Sequence, residues 1–129
     1  DLFGLKIKNV VKGLPNREYY SPGSILNARL DTKHELGLGL PEEIHIWSEG
    51  SPAWDVPEGA GTVVVRYPDQ GILASGWLLG EKYLAGKAAL VDVTVGKGHV
   101  ILFGMRPQYR GQSYQTLKLL FNSFLLGKY

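Results

Sequence analysis

KAALVDVTVGKGHVILFGM, residues 87–105, is the stretch whose reading decides the fold. Two β-rich runs flank Gly96-Lys97-Gly98, a short glycine-bearing connection of the kind that joins antiparallel strands, so the stretch predicts a hairpin. In the second run Val100, Ile101, Leu102 and Phe103 are apolar at consecutive positions. A strand exposed on one side would alternate; an unbroken apolar run predicts a strand in the middle of a sheet, with helices over both faces. The run ends at Gly104 and passes into Arg106-Pro107-Gln108-Tyr109-Arg110-Gly111-Gln112, and a helix follows. Open α/β sheets place their ligands in such a loop, between the carboxyl end of a buried strand and a helix. Arg106, Gln108, Arg110 and Gln112 are therefore the candidate ligand-binding residues, because two arginine forks can hold a carboxylate or phosphate. No acid, base or nucleophile accompanies them, which favours a structural role in which the arginines tie down a neighbouring loop, with Asp92 or Asp31 as partners.

Beyond the loop, residues 113–126 carry Tyr114, Leu117, Leu120, Phe121, Phe124 and Leu125 at helical spacing, with Gln115, Lys118 and Asn122 opposite. The expectation is that the apolar side docks on the sheet; burying Leu117, Leu120, Phe121, Phe124 and Leu125 would contribute on the order of 10 kcal/mol, at about 2 kcal/mol each. Leu119 and Leu126 fall beside the polar stripe, so that stripe is expected to meet a neighbouring domain or a second copy.

Upstream, Leu2, Phe3, Leu5, Ile7, Val10 and Val11 make an apolar opening, and Gly13 to Gly23 is irregular. Strands are predicted at Ser24 to Leu30, Glu43 to Trp47, Thr62 to Tyr67 and Ile72 to Trp77, with Ile44 and Ile46 on one face. Thr32-Lys33-His34-Glu35 fits a capping box opening a helix of about two turns, and a short helical piece is expected near Glu81 to Leu84.

The 129 residues make one domain, 1–129, with an apolar fraction of 44% that is ample for a core. A net charge of +2 from scattered Lys and Arg gives no footprint for nucleic acid, and no run approaches the roughly 20 apolar residues of a membrane helix. Without cysteine there is no disulfide, thiolate metal site or cysteine nucleophile. His34, His45 and His99 have no His or Glu at the i+3 or i+4 offset of a helical zinc site, so they are read as surface or hydrogen-bonded structural residues and no metal is expected. Neither G-x-S-x-G nor a G-x-G-x-x-G between strand and helix occurs. Trp47, Trp54 and Trp77, with Tyr19 and Tyr20, could form a sugar- or peptide-binding platform, but packing is the commoner use of such rings.

From Pro22 onward, PGSILNARLDTKHELGLGLP, SPAW at Ser51 to Trp54, and SGWLLGEKYLAGKAALVDVTVGKGHVILFGMRPQYRGQSYQTLKLLFNSFLL resemble the C-terminal domain of bacterial M14-type zinc carboxypeptidases. That domain is similar to the class I glutamine amidotransferase fold. The resemblance implies an α/β fold with a mixed, mostly parallel sheet in a three-layer sandwich, a C-terminal β-hairpin and a final helix, as a truncated flavodoxin-like or amidotransferase-like domain. It implies a non-catalytic accessory domain of a secreted or periplasmic protein, a fragment of a longer chain. The zinc would belong to an upstream peptidase domain, which would be its partner for interdomain packing or substrate positioning. Independently of the resemblance, the position of Leu119 and Leu126 beside the polar stripe makes another copy of the chain, through the Leu119/Leu126 face, a second expected partner.

Overall fold

The structure, a computed structural model, describes residues 3–126; Leu2 of the apolar opening lies outside the described residues. Its strands are β1 (Lys8–Asn9), β2 (Ser24–Leu30), β3 (Glu43–Ser48), β4 (Trp54–Asp55), β5 (Thr62–Arg66), β6 (Leu73–Ser75), β7 (Ala88–Val95) and β8 (Gly98–Phe103), and one α-helix, α1 (Tyr114–Leu125), comes last. The registered strand pairs are antiparallel throughout. The chain thus forms one open antiparallel sheet with a C-terminal helix, which corrects the expected mostly parallel three-layer sandwich. The physical reason lies in the connections. A parallel pair needs a crossover of a dozen or more residues, usually a helix, but the only α-helix among the described residues follows the last strand. Between strands the chain makes only single 3₁₀ turns at Glu35–Gly37 and Glu81–Tyr83.

The sheet runs β8-β7-β5-β2-β3; β4 continues the β8 side of β7 and carries β1, and β6 lies beside β5 against β2. β7, not β8, is the buried strand: Ala88 through Val93 are all buried, whereas Val100 to Phe103 are only half-buried and pair with β7 alone among the described residues. The unbroken apolar run has a different cause from the one expected. Ile101 and Phe103 pack against the main core, while Val100 and Leu102 pack on the opposite face, in a smaller cluster with Leu5, Ile7, Trp54 and Val56. Both faces carry apolar matter, but on the second it is the N-terminal segment and a loop rather than a helix. The hairpin turn holds Gly96 at φ 60°, in the left-handed region where glycine is favoured.

The main core is built from alternating strands. Leu26, Ala28 and Leu30 of β2 and Ile44 and Ile46 of β3 point inward and meet Val64, Val65, Tyr67, Ile72, Leu84 and Leu90. The predicted capping box makes no α-helix: His34 rather than Thr32 caps the 3₁₀ turn, its Nδ1 accepting from the Leu36 N–H.

α1 is turned over relative to its apolar periodicity. Leu119 is 0% exposed and Thr116 is buried, whereas Tyr114 is 80%, Phe121 62%, Phe124 62% and Leu125 47% exposed. Leu126, half-buried, also packs against the main core, so the Leu119/Leu126 face, expected to meet a neighbouring domain or a second copy, turns toward the domain's own core. The cause is where the helix docks. It lies along the edge of β3, whose unpaired backbone groups require polar partners. Gln115 Oε1 accepts from the His45 N–H at 2.9 Å, Ser113 Oγ donates to the His45 carbonyl, and Asn122 Nδ2 donates to the carbonyls of Leu36 and Leu38. An all-apolar face would have left those groups unsatisfied. No helix among the described residues is long and apolar enough to cross a membrane.

Candidate functional site

Gly104 ends β8 by donating its N–H to the Ala89 carbonyl, and from there the chain crosses to the opposite edge of the sheet. The crossing segment is the loop singled out by sequence. Its centre is a stack: the Tyr109 ring lies on Trp47 with centroids 5.1 Å apart and planes 10° from parallel. Arg106 and Arg110 both sit over Tyr109, at 5.5 and 5.3 Å from its centroid. Arg106 is further held by Glu49, Nη1 to Oε2 at 2.7 Å, and its N–H reaches the Trp47 carbonyl at the β3 edge. Glu49, rather than Asp92 or Asp31, is thus the carboxylate that ties this loop down.

Arg110 is exposed, has no carboxylate within 4.0 Å among the described residues, and adopts φ 46°, a left-handed conformation that costs a non-glycine residue on the order of 1 kcal/mol. Gln108 and Gln112 are exposed; Gln108 stands before the 3₁₀ turn Tyr109–Gly111, and Gln112 closes it through a backbone bond to Tyr109. The structure therefore brings the two arginines together on one aromatic ring, with the two amides flanking the turn. As a chemical unit this is a half-buried aromatic stack carrying one neutralised and one uncompensated guanidinium.

A second constellation escaped the sequence reading. Asp92, in the middle of buried β7, accepts from His34 Nε2 at 3.0 Å on Oδ2 and from His99 Nδ1 at 2.8 Å on Oδ1. Because His34 Nδ1 accepts the Leu36 N–H, its proton must stand on Nε2, facing the carboxylate. Both carboxylate oxygens are thereby satisfied, which makes a buried charge in an apolar strand tolerable. The cluster ties the 31–37 loop to both strands of the hairpin. Its signal in the sequence was an aspartate inside AALVDVTV, but its partners lie 58 and 7 residues away, and only the fold unites them. His34 also lines a cavity of about 300 Å³ between that loop and α1, with Leu38, Asn122, Leu125 and Leu126. His99 keeps Nε2 directed away from the carboxylate, but one imidazole nitrogen is a single ligand. Among the described residues no group of three or more His, Cys, Asp or Glu side chains is arranged to hold a metal ion.

The aromatic residues considered as a platform go to different places. Trp47 joins Tyr109, Trp54 packs in the smaller apolar cluster, Tyr19 is in the main core, and Trp77 is exposed beyond β6. No protein-family model matches the chain, and no curated protein or solved structure matches it.

Proposed function

We propose that the chain is a non-catalytic accessory domain that works by packing against a neighbouring domain of the same polypeptide. The observation that carries this reading is the outer face of α1, where Phe121, Phe124 and Leu125 are exposed together near its C-terminal end and Tyr114 is exposed at its start beyond Lys118, while Gln115 and Asn122 turn inward. Phe121 and Phe124 already meet edge to face, with centroids 6.5 Å apart. Exposed apolar surface of this kind on a helix marks an interaction site. The peptidase domain of a zinc carboxypeptidase-like parent is the neighbour that the sequence resemblance supports, and a secreted or periplasmic location follows from the same resemblance.

In the parent polypeptide, replacing Phe121 and Phe124 together by serine should speed proteolytic release of this domain and leave its own melting temperature within a degree or two. A drop of many degrees in the domain's own melting would place those rings in its core and contradict the reading. Tight stoichiometric uptake of zinc by the chain alone would contradict its non-catalytic assignment.

A second reading, a binding module for small carboxylates or phosphates at Arg106, Gln108, Arg110 and Gln112, is favoured by the uncompensated, left-handed Arg110. Saturable thermal stabilisation by phosphate or a small carboxylate, lost in Arg110→Ala, would support it.

A further inference from the structure

The two edges of the sheet are finished differently. At β3 the outward groups of His45 and Trp47 are taken by Gln115, Ser113 and the Arg106 N–H. At β8 nothing comparable occurs among the described residues. The Gly104 N–H bonds to the Ala89 carbonyl, and the register places Phe103 opposite Leu90, Leu102 opposite Val91, and so on to Gly98 opposite Val95. In an antiparallel ladder the residues alternate between bonding to the partner strand and pointing away from it. Val100 and Leu102 therefore bond inward to β7, whereas His99, Ile101 and Phe103 turn both N–H and C=O outward. No partner for those outward groups occurs among the described residues.

We propose that the outer edge of β8 is a pairing surface for a second copy of this chain, β8 lying antiparallel to β8 across a two-fold axis at Ile101. In that register Ile101 bonds to Ile101 of the second copy, and His99 to Phe103 in both directions, so all three outward residues are used. Val100 then stands opposite Leu102 of the second copy, which extends the half-buried apolar cluster of Val63, Val95, Val100 and Leu102 across the axis. The strand GHVILF contains no Lys, Arg, Asp, Glu or Pro, the residues that natural sheets use to block an open edge. Self-pairing therefore opposes no like charges within the strand, and its isologous contact closes at two copies. The second copy is favoured over a foreign strand because one register satisfies every outward group and continues both apolar faces.

The chain has no cysteine, so single-cysteine variants report the contact directly. Across the proposed axis the two Ile101 Cα atoms would be about 5.5 Å apart, within disulfide reach. Ile101→Cys should give a covalent dimer under mild oxidation at tens of micromolar protein, and Phe121→Cys, on the outer face of α1, should cross-link at least tenfold more slowly. Sedimentation velocity of the unmodified chain should show a dimer fraction that rises with concentration. Ile101→Pro, which removes an outward N–H and no bond to β7, should abolish that rise while retaining a cooperative melt. A unmodified chain that stays monomeric at several hundred micromolar would overturn the proposal, as would faster cross-linking through Phe121→Cys. If Ile101→Pro fails to fold, the sedimentation and cross-linking results decide alone.

Discussion

The β3 edge and the β8 edge border the same sheet, yet among the described residues one is covered and the other open. Covering β3 takes the loop after Gly104 and the polar side of α1; among the described residues β8 has only its hairpin turn and a run of apolar side chains. The difference shows what the C-terminal segment is for. α1 is placed to close an edge, and once its polar side is committed to β3 its apolar side has to face outward. One choice of edge thus leaves both the outer face of α1 and the β8 edge uncovered among the described residues.

The most damaging change should fall where the chain leaves one edge for the other. A Cβ on Gly104 would come within 2.5 Å of the Pro52 carbonyl oxygen and 2.9 Å of that of Ala89, both backbone atoms that cannot step aside. Gly104→Ala is expected to cost about 3 kcal/mol or more in urea unfolding. An almost neutral result would mean that the crossing does not pass this close to β7.

The two sides of α1 should separate nearly as clearly. Leu119→Ala is expected to cost about 3 kcal/mol through the cavity it leaves, and Phe121→Ala less than about 0.5 kcal/mol. The reverse order would turn the helix over and leave the β3 edge without its cover. Removing only the polar cover is milder. Ser113→Ala with Gln115→Ala exposes the His45 N–H and C=O, which water can reach, and should cost about 1–2 kcal/mol while raising the tendency to aggregate through β3.

The interior offers a control that neither edge touches. Burial holds the Tyr67 phenol far above the usual tyrosine range, with Tyr19 nearby adding to the effect, and burial also raises Tyr19. Tyr67 stays neutral in the folded state and ionises near pH 10 once unfolded. Its contribution is therefore fully present below about pH 10 and is lost as pH climbs beyond it, by up to about 1.4 kcal/mol per pH unit, with Tyr19 adding in the same direction. Absorbance titration should show the Tyr67 phenol ionising only with unfolding. Its ionisation in the folded chain would mean that the core is open to water.

Much of the strand pattern could be read from the chain, because period-two alternation in SILNARL and EIHIW reflects a direct physical cause, one face inward. The hairpin was legible for the same reason, through Gly96 and its flanking β-branched runs. Strand direction was not. The VILF run records only that both faces of β8 touch apolar matter, which a helix, a loop or the N-terminal segment can supply equally well. The face of α1 was misread because apolar periodicity locates the core only when a helix packs on a sheet face; here the β3 edge selects Ser113 and Gln115, and the turn before β3 selects Asn122. Of the candidate loop, the positions were legible and the partners were not. Glu49 and Trp47 come from distant parts of the chain, as does the His34 that joins Asp92.

Amide hydrogen exchange along β8 in dilute protein tests the open edge most directly. Val100 and Leu102, bonded to β7, should be protected, while His99, Ile101 and Phe103 exchange at least a hundredfold faster. Uniformly slow exchange along all five residues at a concentration where the chain is monomeric would place another strand of the same molecule outside β8 and contradict an open edge there.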